Sequence, residues 1–443
     1  MEVFIEKIVI YSSVILLCLI VVLIYLFKLR RNSRKVEAKI KKAKKEGLFE
    51  PVSLHPVVDV NSCIQTGACI SACPEKDILG IVKGKATTIN ASRCIGHGAC
   101  FHACPTEAIT LCIGTEKRGV ELPHVNQNFE SNISGIFIAG ELGGMGLIKN
   151  AVEQGKQAVE NIAKTINKNH KASYDLIIIG AGPAGISAGL TAKKLKVNAL
   201  ILEQDTLGGT VFTFPRSKIV MTSPMDLPLH GKIRLYETSK TELLELWNTV
   251  LGNNKITIKE KEKVEAINKE KDFFIIETAN GQSYSSKSIL LCIGRRGTPR
   301  KLNIPGEAME KVAFRLLEPE KITGKSIVVV GGGDSAIESA ILLADQNKVI
   351  LSYRKDTFSR IKPKNNDSIK SAIAVGKIDV RFNSNLKSIE KDFVNLYLSD
   401  EDETIEIKND LVYIFAGGEL PSQFLQKAGI QITKKFGEAL LKH

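Results

Sequence analysis

Three cysteines of this chain recur at a constant offset: Cys63, Cys69 and Cys73 return as Cys94, Cys100 and Cys104, each 31 residues later. Both triplets end in Cys-Pro. Soft ligands repeated at fixed spacing constrain a fold strongly, because thiols that share a metal centre must converge whatever the chain between them prefers. The alternative use of six cysteines, a disulfide framework, depends on the compartment.

The N-terminus sets that compartment. Ile8 to Phe27 is an uncharged run of 20 residues, long enough as a helix to cross roughly 30 Å of hydrocarbon. A removed signal peptide is the competing reading, but its apolar core is shorter and follows positive charge. Here Glu2 and Glu6 precede the run with only Lys7 beside them, and no Ala-x-Ala-like cleavage site follows. Residues 1–28 therefore read as a retained anchor and residues 29–50 as a basic juxtamembrane helix. Lys28 to Lys45 supplies ten basic residues against only Glu37 and Glu46, so +8 of the net +13 sits in this segment. The positive-inside bias places the body of a single-pass inner-membrane protein in the cytoplasm. Anionic headgroups explain the charge, and nucleic acid is the weaker reading of it. In that compartment structural disulfides are disfavoured. Cys18 in the span, and Cys112 and Cys292 after apolar runs, are most simply buried apolar residues.

The bacterial two-cluster ferredoxin pattern is C-x2-C-x2-C-x3-C-P, the last cysteine of each run serving the other cluster. Residues 51–112 resemble it: Cys63-x2-Thr66-x2-Cys69-x3-Cys73-Pro74, then Cys94-x2-His97-x2-Cys100-x3-Cys104-Pro105. The second cysteine is missing from both runs. The resemblance implies crossed ligand sets, Cys63, Cys69 and Cys104 in one and Cys94, Cys100 and Cys73 in the other. Three thiolates suit a 3Fe–4S cluster. With His97 as a nitrogen ligand the second set suits 4Fe–4S, at a raised potential. Thr66 is a poor ligand, which makes the first set the better 3Fe candidate. Competing readings are a ferredoxin fold without clusters and, less well fitted by the Cys-Pro ends, zinc.

Downstream the chain reads as α/β with two dinucleotide-binding domains. Tyr174 to Ile179 is an apolar strand followed by Gly180-Ala-Gly182-Pro-Ala-Gly185 and a helical pattern, and the second strand, Asn198 to Leu202, ends in Glu203. Strand, glycine turn, helix and acidic residue in that order bind a pyrophosphate and then ribose hydroxyls. Ser326 to Val330 opens a second copy with Gly331-Gly332-Gly333-Asp334-Ser335-Ala336. Glu203 lies 23 residues after Gly180, and the residue 23 after Gly331 is Arg354, with Lys355 and Arg360 close behind. A carboxylate repels a 2′-phosphate and a guanidinium attracts it, so the first site suits FAD and the second NADPH.

These motifs resemble the thioredoxin-reductase branch of two-dinucleotide flavoproteins. Leu207-Gly208-Gly209-Thr210, Cys292-Ile293-Gly294, Pro305-Gly306-Glu307 and Val412 to Gly417 carry the resemblance further. It implies that Gly294 ends the strand beneath FAD. Two departures stand out. The family's C-x-x-C pair before the NADPH strand is absent, since Val312 to Lys325 holds no cysteine, so an internal dithiol is excluded. The family's closing flavin-binding strand and helix are not found after residue 417. A matching segment lies earlier instead, Ile133 to Glu141 with Gly140 and Glu141 at its end, then a helix from about Lys149 to Lys164. The flavoprotein reads as circularly permuted, which termini lying close together on a domain surface tolerate. The implied organisation is 113–170 permuted closing segment, 171–298 FAD domain, 299–416 NADPH domain and 417–443 return to the FAD domain, with hinges near Pro299 and Gly417.

Iron–sulfur clusters move single electrons and nicotinamides move pairs, so a flavin between them is the expected converter. The expectation is a membrane-anchored NADPH-dependent oxidoreductase with no catalytic acid–base pair. Its electron acceptor or donor is a quinone, a ferredoxin or a membrane redox protein, with the direction of flow left open. Direct flavin reduction of a small disulfide, and a non-catalytic membrane redox sensor, are the competing functions. The family resemblance also raises a homodimer.

Overall fold

The computed structural model describes residues 2–45, 49, 51, 54–75, 77–94, 96, 98–116, 119–144, 146–167, 170–214, 219–221, 224–235, 237–295, 298–358 and 361–441. The chain divides into two units, Met1–Val120 with Phe436–His443, and Glu121–Lys435.

In the first unit, the apolar run and the basic segment form one uninterrupted helix, Glu2–Lys45. Nothing between Phe27 and Lys45 breaks it, since no proline or glycine occurs there. Among the described residues it is the one helix long and apolar enough to cross a membrane. The cysteine repeat then shows itself in the backbone. Helices Ala68–Ala72 and Ala99–His102 are each entered through a glycine, Gly67 and Gly98, both at φ 71°. Strand His55–Val58 pairs antiparallel with Ile109–Ile113, and Leu79–Val82 forms a hairpin with Lys85–Thr88. Ile78, Ile89, Phe101, Ile109, Leu111 and Ile113 fill the interior.

The expected return of residues 417–443 to the flavin domain divides in the structure. Leu425, Ile430 and Ile432 join the core of the first large sheet. Strand Glu438–Leu441 instead pairs antiparallel with Ile109–Ile113, satisfying backbone groups that an edge strand would otherwise leave open.

The second unit holds two large sheets. In the first, parallel strand Tyr174–Ile179 lies between Ala199–Leu202 and Ser283–Leu291. The early strand Ile136–Ile138 pairs parallel with Ile289 to Leu291, on the edge opposite Tyr174–Ile179. Strands buried on both faces read as continuous apolar runs, which is why Asp175 is followed by Leu176, Ile177, Ile178 and Ile179. The second sheet is parallel and five-stranded, with Ser326–Val330 at its centre and a three-stranded antiparallel sheet beyond it. Helix Lys240–Asn253 begins at Ser239, whose hydroxyl accepts the Glu242 N–H at 3.1 Å. The Glu242 carboxylate turns to the Thr238 hydroxyl at 2.6 Å, so Ser239-x-x-Glu242 forms the hydroxyl half of a capping box.

Helix Ile148–Thr165 packs against helix Pro183–Lys194 so closely that a Cβ on Gly155 would lie 2.1 Å from the Ala184 carbonyl oxygen. Gly155→Ala gains up to about 1 kcal/mol of helix propensity but forces the two backbones apart, at roughly 1–3 kcal/mol. The net expectation is destabilisation, read as a lower urea midpoint of unfolding. A raised midpoint would show that the helices separate freely.

Candidate functional sites

The thiols of the two cysteine runs lie close together: Cys69 neighbours Cys104 and Cys63, Cys94 neighbours Cys100 and Cys73, and Cys100 neighbours both Cys73 and Cys69. Cys63, Cys69 and Cys104 line one cavity together with Thr66. Thr66 stands where the missing cysteine would be, and its hydroxyl accepts the Ala68 N–H at 3.4 Å. His97 lies outside the described residues. Among those described, no three His, Cys, Asp or Glu side chains converge tightly enough to hold a single ion.

Burial pushes Cys94 to about 12 and Cys100 to about 11, and raises Cys69 and Cys73 as well. Buried thiols without a cation stay protonated, and iron inverts that preference by binding the thiolate. Cys104 goes the other way. Burial raises it, but bonds from Thr106, Ala108 and Glu107 outweigh this and its pKa falls. The Ala108 N–H reaches Cys104 Sγ at 3.3 Å, and the Ala86 N–H reaches Cys63 Sγ at 3.4 Å. Such N–H···S bonds tune cluster potential. Six thiols in two crossed sets fit a pair of iron–sulfur clusters.

The first glycine turn sits at the carboxyl end of Tyr174–Ile179. Gly180, at φ 105°, is pressed against the neighbouring strand, since a Cβ there would lie 2.5 Å from the Cys292 carbonyl oxygen. A Cβ on Gly182 would meet nothing within 4 Å, and one on Gly209 would lie 3.4 Å from the Gly182 Cα. A Cβ on Gly140 would lie 3.1 Å from Ala184 Cβ, on the other flank of the turn. A Cβ on Gly185, in the first turn of the helix, would lie 1.8 Å from the Gly180 carbonyl oxygen. The result is a cradle of bare backbone at a helix N-terminus, which a pyrophosphate fits. Glu203 is buried beside it, accepting the Ala181 N–H at 2.7 Å and the Asp205 N–H at 2.9 Å. Burial raises its pKa despite these bonds. Each carboxylate oxygen keeps a lone pair for a ribose hydroxyl. Glu141 follows Gly140 in a short 3-10 turn. Gly294, at φ 66°, lies three residues past the end of strand Ser283–Leu291.

The second turn has the opposite electrostatics. Val330 pairs with Ser352, so Gly331 and Tyr353 leave the sheet side by side. Arg354 and Lys355 follow and are exposed, while Arg360 lies outside the described residues. Gly333 is open, Ser335 is exposed in the first helical turn, and Ala336 is buried under Gly331. Asp334 turns inward, accepting the Lys362 N–H at 2.8 Å and the Asn365 amide at 2.6 Å.

Three contributors escape motif reading. Gln154 Oε1 accepts the Gly140 N–H at 2.8 Å. Gly155 permits the close helix approach, and its signal in the sequence is a glycine inside a strongly amphipathic helix. The ring of Tyr353 covers Gly332, where a Cβ would fall 2.1 Å from Tyr353 Cε2.

Two glycine turns at the carboxyl ends of parallel strands, on a chain that also carries two sets of converging thiols, define a flavin oxidoreductase with an iron–sulfur domain. Residues 177–442 match the pyridine nucleotide-disulphide oxidoreductase family, and the chain belongs to it. Residues 55–105 match the 4Fe-4S dicluster domain. Bacilliredoxin reductase Bdr of Bacillus subtilis is 28% identical over 267 residues, 59% of this chain and 82% of that one. A ferredoxin–NADP reductase of Ignicoccus hospitalis is 32% identical over 185 residues, 42% of this chain and 57% of that one. The solved bacillithiol disulfide reductase Bdr of Bacillus cereus superposes with a TM-score of 0.53 at 26% identity, covering 61% of this chain and 85% of that one. The chain is an NAD(P)H-dependent flavin oxidoreductase related to both kinds of reductase.

Crossing has a direct test in electron paramagnetic resonance. Cys104→Ser is expected to remove the same cluster signal as Cys63→Ser or Cys69→Ser, and Cys73→Ser the same one as Cys94→Ser or Cys100→Ser. A Cys104→Ser spectrum matching that of Cys94→Ser would reject it.

Proposed function

We propose that this chain is a membrane-anchored, NADPH-dependent flavoprotein that passes electrons between NADPH, FAD and its own iron–sulfur clusters. The observation that carries the reading is one polypeptide holding two glycine turns and two repeated cysteine triplets with members of both in one cavity, and no cysteine between Val312 and Lys325. Bound flavin supplies the conversion between hydride and single electrons.

The chain's own groups bind and orient. Backbone N–H groups of the Gly180–Gly185 turn receive the FAD pyrophosphate, and Glu203 takes the adenosine ribose. Gly209, Gly294 and Gly140 let backbone approach the cofactor, and Glu141 accepts from the ribityl chain. Residues 113–170 close the FAD domain as a permuted segment, a reading supported by the parallel pairing of Ile136–Ile138 with Ile289 to Leu291. The Gly331–Ala336 turn takes the second pyrophosphate, with Gly333, Asp334 and Ser335 along it. Arg354, Lys355 and Arg360 select NADPH over NADH. The cytoplasmic body hangs from the inner membrane by residues 1–28.

The match to Bdr favours a second reading, flavin-dependent reduction of a low-molecular-weight disulfide with the clusters uninvolved. The two separate on mixing. Rapid addition of NADPH to the anaerobic protein is expected to bleach the flavin and then the clusters within turnover. Clusters that stay oxidised, with disulfide reduction surviving Cys69→Ser plus Cys100→Ser, would establish the second reading instead.

Arg354→Ala removes one charged hydrogen-bond donor from the 2′-phosphate, worth about 1.5–3 kcal/mol. The KM for NADPH should rise roughly 10- to 150-fold at that energy, with the KM for NADH little changed. Equal loss with both nucleotides would remove Arg354 from specificity.

A further inference from the structure

The long helix does more than lead into the iron–sulfur domain. Ser33, Val36, Glu37, Ile40 and Ala43 form one helical face, and Ala43 at its far end is only 2% exposed. Three contacts attach that face to the segment after the first cysteine run. The Lys83 N–H donates to Ser33 Oγ at 3.1 Å. Val36 packs on Gly80, where a Cβ would lie 2.7 Å from Val36 Cγ1. Lys39 pairs with Asp77 at 2.6 Å. As the helix leaves the apolar run, the chain from 83 back to 77 passes alongside it, so the domain has a defined near end and far end.

The near end is the hairpin turn at Lys83 and Gly84. Gln65 lies against it, with Oε1 3.1 Å from where a Gly84 Cβ would be. Lys85 Nζ donates to the Cys63 carbonyl at 2.7 Å. The loop from Cys63 to Gly67, which lines the cavity shared by Cys63, Cys69 and Cys104, is therefore level with Ser33. The far end belongs to the other set. Cys73 Sγ bonds the Glu75 carbonyl at 3.1 Å, two residues from the Asp77 that Lys39 holds.

Helical rise converts these levels to depths. Ser33 is six residues beyond Phe27, about 9 Å along the axis, and Lys39 about 18 Å. The headgroup zone on each side of the hydrocarbon is roughly 5–8 Å thick. Within residues 54–112, the exposed large apolar side chains among those described are Val57, Val60 and Ile64, at 46%, 53% and 64%. All three lie in the stretch that leads over the near site. Scattered apolar residues need no explanation, but a group confined to one edge marks a contact surface.

We infer that the Cys63–Cys69–Cys104 site is the membrane-side cluster site, and that the loop over it, led by Ile64 and Val60, rests on the lipid headgroup interface. The Cys73–Cys94–Cys100 site lies about 9 Å farther from the bilayer along the helix. The inference rests on the membrane-anchored reading and narrows it: the near site exchanges electrons with a carrier held in or at the bilayer.

Tryptophan depth measurements test it on the full-length holoprotein in nanodiscs, comparing plain with brominated phosphatidylcholine and phosphatidylglycerol. The one native tryptophan, Trp247, is fully buried and gives a constant background. Val21→Trp reports the span, Ile64→Trp and Val60→Trp the loop, and Lys41→Trp a level about 21 Å past Phe27. Visible absorption confirms that each variant keeps its clusters. Brominated lipid is expected to quench Val21→Trp strongly, to quench the two loop variants clearly, and to leave Lys41→Trp unchanged. Quenching of Val21→Trp alone overturns the loop placement and leaves the anchor intact. An unquenched Val21→Trp removes the anchor and the inference with it. Equal quenching of Lys41→Trp and the loop variants overturns the near–far order. A loop tryptophan shielded from lipid but blue-shifted with rising protein concentration assigns the patch to a second copy.

Discussion

One strand holds the nucleotide site together. Ile289 to Leu291 pairs in parallel with Ile177 to Ile179 on one edge and with Ile136 to Ile138 on the other. At its end the Cys292 N–H bonds the Ile179 carbonyl at 2.7 Å, and the Ala139 N–H bonds the Leu291 carbonyl at 3.0 Å. Three chain segments thus leave the sheet at one level, and their next residues are Gly180, Gly140 and the Cys292–Gly294 turn. Ligands of open α/β sheets bind outside the carboxyl ends of strands, and here that position is set by two sets of main-chain bonds. The three segments end at Ile138, Ile179 and Leu291, 41 and then 112 residues apart in sequence, so the site depends on pairing rather than on chain proximity.

What could be read from the sequence follows from the same physics. Tyr174–Ile179 and Ser326–Val330 were legible to the residue because a doubly buried strand must be apolar throughout and a glycine turn must end it. The offset of Glu203 and Arg354 was legible because a strand, a turn, a helix and a second strand have nearly fixed lengths. Gly155 and Tyr353 were not, because each matters through a contact with a distant partner. The Glu438–Leu441 strand was also out of reach: its pattern is short, and only the open edge of Ile109–Ile113 explains where it goes. Helix Glu2–Lys45 was anticipated as two pieces, a span and a basic helix, although no helix breaker separates them.

The thiol sites show how a local repeat becomes a non-local constraint. A 31-residue offset places Cys69 and Cys100 in the first turns of matching helices. Cys104, the last cysteine of the second run, lines one cavity with Cys63 and Cys69 of the first. If the sets are crossed as proposed, neither run completes a cluster alone, and cluster assembly would then be coupled to folding of this domain. Burial holds Cys94 and Cys100 in the neutral thiol form, and a bound cation would favour the thiolate instead.

The two nucleotide sites are joined more loosely than either is built. The chain crosses from the first large sheet to the second at Thr298–Pro299 and returns at Gly418–Glu419, and these crossings pair with each other as a short antiparallel ribbon. Pro299 and Gly417, the expected hinge positions, lie in or beside it, with the Arg300 N–H bonding the Gly417 carbonyl at 2.9 Å. Beyond the ribbon, Arg315 reaches Asp205 at 3.0 Å, and both side chains are over a third exposed. A pair that open to water is worth about 0–1 kcal/mol, too little to lock one sheet against the other. Asp205 also donates its N–H to Glu203, so this weak tether ends two residues from the buried carboxylate beside the first glycine turn. The Thr298–Pro299 and Gly418–Glu419 ribbon is where the chain passes between the two sheets, and the partly exposed Arg315–Asp205 pair lies beside the first glycine turn.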